Sequence, residues 1–172
     1  MRKKFYVIVF ILILGGWIVY DLFKYQPRAI EDVAEILGVD SVEIISIDYL
    51  GSWNIQDYDV VEVYQLSDVT INTFLMNSSF ILYNKYYESQ LWEKSNWCKT
   101  PIALPQWNEV YGAFIDVVRE DNKHNELIQE ILEILKEPEN FYSFYLKKNR
   151  AAATLFVLNI KNRCLYCLYV KI

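Results

Sequence analysis

Phe141-Tyr-Ser-Phe-Tyr-Leu146, Ala152-Ala-Thr-Leu-Phe-Val-Leu-Asn-Ile160 and Cys164-Leu-Tyr-Cys-Leu-Tyr-Val-Lys-Ile172 close the chain and decide its fold class. Each run is rich in aromatic and branched residues, the types that fit a pleated, half-buried surface. Lys147-Lys-Asn-Arg150 and Lys161-Asn-Arg163 separate the runs and read as turns. Three strands joined this way make an antiparallel meander. Thr154-Leu-Phe-Val-Leu158 is apolar on both faces, which predicts the central strand.

The residues ahead of the meander alternate between helical and strand patterns. Leu127, Ile128, Ile131, Leu132 and Leu135 recur at helical spacing, with Glu126, Glu130, Glu133 and Glu137 on the opposite, solvated face. Pro138 stops that helix. Asp121 to Asn125 forms the polar turn before it, and Trp107, Val110, Tyr111, Phe114, Ile115 and Val118 make an amphipathic stripe earlier still. Trp97 to Pro105 reads as extended, pinned by Pro101 and Pro105. Tyr86 to Lys94 is predicted as a helix, and Ser67 as the N-cap of a helix reaching Met76. Val42–Tyr49 and Tyr58–Leu66 form a hairpin with a long loop between them, and Ala29–Leu37 is a short helix ending at Gly38. The class is therefore α+β: a mainly antiparallel sheet of about five strands with helices packed on one face.

The N-terminus carries a separate signal. Met1-Arg-Lys-Lys4 precedes Phe5–Tyr20, a run without charge. Cations ahead of a long apolar run make an export-type segment. Bulky Trp17, Ile18, Val19 and Tyr20 stand where a cleavage site needs small residues, so the expectation is an uncleaved transmembrane helix over residues 1–25. Arg2, Lys3 and Lys4 then hold the N-terminus in the cytoplasm, and residues 26–172 form one extracytoplasmic domain on a single-pass membrane protein. The full chain has 17 Lys+Arg and 22 Asp+Glu; residues 1–25 hold four and one of these, leaving 13 and 21 and a net charge of −8 for the domain. Such acidity argues against nucleic acid as a partner.

Few patterns point to chemistry. His124 is the only histidine, in a turn where a solvated side chain is the default. The five glycines form no phosphate-binding loop, and no metal-ligand spacing or cofactor motif is present. Cys164-Leu-Tyr-Cys167 has redox spacing, but in a strand residues three apart point to opposite faces. Asp48, Asp57, Asp59 and Glu62 gather about the first hairpin, where turn formation explains aspartate and acid–base work is the sharper alternative. The candidate binding residues are Trp53, Asp57 and Asp59. Trp53 sits in a turn with few apolar neighbours, and loop tryptophans are favoured recognition residues.

Trp97-Cys-Lys-Thr-Pro-Ile102, Asn140 to Asn149 and Thr154 to Tyr169 resemble a group of small uncharacterised exported proteins of Gram-positive bacteria. Members share a tryptophan–proline segment, an aromatic strand and a closing hairpin, and they carry a loop with histidines after the first strand. In the matching loop here, Asp48, Gly51 and Asp57 remain and the histidines are absent. The resemblance implies an exported, membrane-anchored protein and carries no activity. The expected function is a non-catalytic, membrane-anchored domain that binds a protein or cell-envelope ligand, with no cofactor. An immunity or inhibitor protein against an exported toxin is the first alternative, and a carboxylate-dependent hydrolase the second.

Overall fold

The computed structural model describes residues 15, 27–53, 58–76, 92–103, 122–149 and 151–171. Helix α1, Ile30–Leu37, starts with Glu31 and Asp32 in its first turn, where carboxylates suit the positive end of the helix. Gly38 ends it at φ 67°, a left-handed conformation that costs glycine no clash. Strand β1, Ile44–Trp53, and strand β2, Tyr58–Leu66, form the first hairpin. Helix α2, Asp68–Met76, follows at once, capped by Ser67 Oγ, which accepts from the Thr70 N–H at 3.2 Å. Two short strands come next, β3 at Trp92–Lys94 and β4 at Cys98–Lys99. Helix α3, Asn122–Ile134, then leads into β5 at Phe141–Lys147, β6 at Ala152–Asn159 and β7 at Cys164–Lys171.

The strands join into one sheet in the order β1-β2-β7-β6-β5-β3, with β4 also pairing β5. Every pairing is antiparallel. β6 is buried along its whole length, as its two-sided apolar run requires. Its alternate residues serve two cores. Phe156 and Leu158 pack with Tyr64, Leu66, Phe74 and Trp97 beneath α1 and α2. Leu155 and Val157 pack with Ile131 and Ile134 of α3, and with Leu135 just beyond it, on the opposite face. Trp97 ties the first core to α1 by donating from Nε1 to the Ile36 carbonyl at 2.8 Å.

Several expectations are corrected. Among the described residues the sheet has six strands in unbroken order plus β4, not five, because residues 92–94 and 98–99 pair with β5. Trp92–Lys94 is therefore strand rather than the end of a helix; open partners along β5 outweigh a helical spacing shared with strand. Helices cover both faces, since a central strand apolar on both sides needs cover on both. β1 runs on through Gly51 to Trp53, paired to Tyr58–Val60, so much of the expected long loop is ladder. α3 already includes residues 122–125 and stops at Ile134, ahead of Pro138. Nor is the expected transmembrane helix part of the fold seen among the described residues, where no helix is long and apolar enough to cross a membrane. Residues 1–14 and 16–26, the Trp107–Val118 stripe and most of Tyr86–Lys94 lie outside the described residues.

Candidate functional site

The first hairpin brings two of the three candidate residues together. Trp53, the last residue of β1, is paired with Tyr58, and Ser52 is paired with Asp59. Asp59 also faces Val170 of β7 in register. Trp53 and Asp59 thus lie one register step apart at the same end of the sheet. Asp57 lies in the connection 54–57, outside the described residues.

A second group sits deeper, on the face under α1. Alternation places Glu62 beside Val60, Tyr64 and Leu66, which puts a carboxylate into an otherwise apolar row. A charge there requires a partner. Arg28, just ahead of α1, supplies it: Arg28 Nε donates to Glu62 Oε2 at 2.6 Å, and the Glu62 side chain keeps only 3% exposure. The Arg28 backbone N–H donates to Tyr64 Oη at 3.1 Å, and its guanidinium stands 5.9 Å from the centre of the Phe156 ring. Cys167 is paired in register with Glu62 and Phe156 and completes the row.

Burial dominates the electrostatics of this group. It pushes the Glu62 carboxyl up to about 7, against the lowering effect of hydrogen bonds from Arg28 and Tyr64. Burial also raises the Tyr64 hydroxyl and the Cys167 thiol well above their ordinary ranges. A carboxyl near neutrality can exchange protons, but this one is closed in by Arg28, Tyr64 and the sheet. The pair ties the segment ahead of α1 to β2. Arg28 reads as linker and Glu62 as a hairpin acid when taken singly; the Val60–Glu62–Tyr64–Leu66 alternation was the available signal.

The cysteines divide between the faces. Cys167 belongs to the core under α1 and α2, and Cys164 packs against the core under α3. Cys164 Sγ donates to Gln65 Oε1 at 3.1 Å, and all three cysteines are free thiols. The glutamate row of α3 is not wholly a solvated face, because Glu130 Oε1 accepts from the Tyr166 hydroxyl at 2.9 Å. Among the described residues, no group of three or more histidine, cysteine or acidic side chains is placed to hold a metal ion. His124 lies within α3 rather than in a turn. No family model, curated protein or solved structure matches the chain.

Proposed function

We propose that the domain is a non-catalytic binding module, presented outside the cytoplasm, that holds a protein or cell-envelope ligand through the Trp53–Asp59 end of the first hairpin. The observation that carries this reading is the register that sets Trp53 beside the Tyr58–Asp59 stretch at the end of a sheet covered on both faces. Recognition residues commonly sit at the ends of rigid sheets, and tryptophan is among the residues most enriched at binding hot spots. The Arg28–Glu62 pair gives a fold-holding role to one of the four acids gathered about the first hairpin. The run Arg2-Lys-Lys4 followed by uncharged Phe5–Tyr20 supports an export route.

Capture of a partner by the full-length protein from the membrane fraction, compared with Trp53→Ala and Asp59→Asn, tests the proposal. Lost capture with an unchanged melting temperature is the expected result. A melting temperature lowered by several degrees with capture retained overturns it. A second reading, an inhibitor or immunity protein against an exported toxin, draws support from the domain's net charge of −8, which suits a basic partner.

A further inference from the structure

Charge is distributed very unevenly along this chain. Residues 29–84 contain ten acidic residues and no lysine, arginine or histidine. Residues 85–172 contain 12 Lys+Arg and 11 Asp+Glu and are nearly balanced. The described part of the acidic stretch forms α1, β1, β2 and α2, and the sheet order puts β1 and β2 together at one margin. The sequence asymmetry therefore becomes a spatial one at the β1 side of the sheet, where Glu62 is paired with Arg28 and Asp68 with Arg163.

The same stretch holds every large hydrophobic side chain that is exposed among the described residues. Two of these, Ile45 at 60% and Ile47 at 42% exposure, lie on β1 itself. β1 ends the strand order, so among the described residues its outer side meets no other strand. A bulge between Ile44 and Ser46 leaves Ile45 as an extra residue on β1. Asp40, Glu43 and Asp48, all exposed, flank these isoleucines. Proteins protect edge strands with lysine, proline, bulges or charges; β1 has no lysine or proline, and its protection is the bulge and Asp48, whose Oδ1 accepts from the Tyr49 N–H at 2.9 Å.

We infer that the outer edge of β1 accepts an extended, basic polypeptide segment as an added strand, with Ile45 and Ile47 as apolar contacts and Asp40, Glu43 and Asp48 as the charged rim. Main-chain hydrogen bonds give such pairing its affinity, and side chains beside the edge set its specificity. Charge selects the occupant. A second copy of this chain would bring two edges of like sign together, which opposes self-pairing. Nucleic acid is repelled for the same reason. A cationic strand is attracted and gains from the exposed isoleucines. This assignment rests on the binding reading above and adds a second contact, on the strand edge rather than at the hairpin end.

The test uses the full-length protein and three synthetic strand-length peptides. One alternates lysine and valine, one carries glutamate for every lysine, and one is the lysine peptide with alternate backbone nitrogens methylated. The lysine peptide is expected to bind and to slow exchange of the amides between Ile44 and Asp48 that point away from β2. It should weaken about tenfold or more as salt rises from about 0.05 M to about 0.5 M. The glutamate and methylated peptides should not bind. Ile45→Lys with Ile47→Lys, at exposed positions the fold tolerates, should weaken the lysine peptide by about tenfold. Absence of lysine-peptide binding, equal binding of either control, protection on another element, or outward-pointing β1 amides already slow in the free chain each overturns the inference. Should Trp53→Ala abolish membrane-fraction capture while the double lysine variant captures its partner and binds the peptide normally, the β1 assignment falls and the hairpin reading stands.

Discussion

Arg28 and Glu62, 34 residues apart in the chain, are joined by a bond of 2.6 Å from the arginine Nε to the carboxylate. The contact fixes the segment ahead of α1 onto the second strand of the sheet. Removing Arg28 would leave the Glu62 carboxyl buried without its partner.

The pair gives stability a pH dependence. The Glu62 carboxyl is raised from 4.5 to about 7 in the folded protein, so the native state holds this proton more tightly than the unfolded chain does. Its contribution to folding is fully present below pH 4.5 and is lost as pH rises through about 7. Relative to Glu62→Gln, which keeps an acceptor for Arg28, the native protein should lose roughly 3 kcal/mol across that interval. Urea unfolding of both proteins at several pH values measures this. Parallel stability curves would show that Glu62 titrates normally.

Phe156 tests the centre of the sheet. It is fully buried, edge-on to Tyr145 at 6.0 Å between ring centres, and packed in the core beneath α1 and α2. Phe156→Ala is expected to cost about 3–5 kcal/mol. A loss within about half a kcal/mol in chemical denaturation would mean that the site collapses around the missing ring.

These sites show how far the sequence carried. The meander was legible because β5, β6 and β7 keep a dense β-type pattern between charged turns, and β6 announced its central place by being apolar on both sides. That same feature already required cover on both faces. The helices were expected on one because each stripe, α1's and α3's alike, specifies that it faces a core and not which side of the sheet that core occupies. Gly51 and Ser52 read as turn residues, yet pairing with Val60 and Asp59 holds them in the ladder, since a partner strand overrides weak local preference. Trp53 and Asp59 could be singled out as residue types. Their adjacency is a property of hairpin register, which the apolar pattern near the tip was too weak to specify.

Ser67 tests the start of α2. Its hydroxyl accepts from the Thr70 N–H, and Thr70 Oγ1 in turn accepts from the Glu43 N–H at 2.9 Å, linking the helix start to the residue before β1. Ser67→Ala removes the cap from a buried site, with an expected cost of about 1–2 kcal/mol by thermal or chemical unfolding. Ser67→Asp, which restores an acceptor, should recover part of that loss; recovery of none would show that hydroxyl packing rather than capping is what matters.

The cysteines give a last prediction, from strand geometry. Cys164 and Cys167 are three residues apart on β7 and serve opposite cores, so their sulfurs lie on different sides of the sheet. A disulfide needs β-carbons on the same side and close together, which this strand cannot provide without leaving the ladder. Cys167 is also buried, with its thiol raised far above the ordinary range by burial, and a thiol in that state is a poor nucleophile. Alkylation of the native protein at neutral pH should therefore spare Cys167, while denaturant exposes all three thiols. Mild oxidation of the folded protein should leave Cys164 and Cys167 unlinked. A Cys164–Cys167 peptide bridge found by mass spectrometry after native oxidation would show that β7 leaves the sheet in solution.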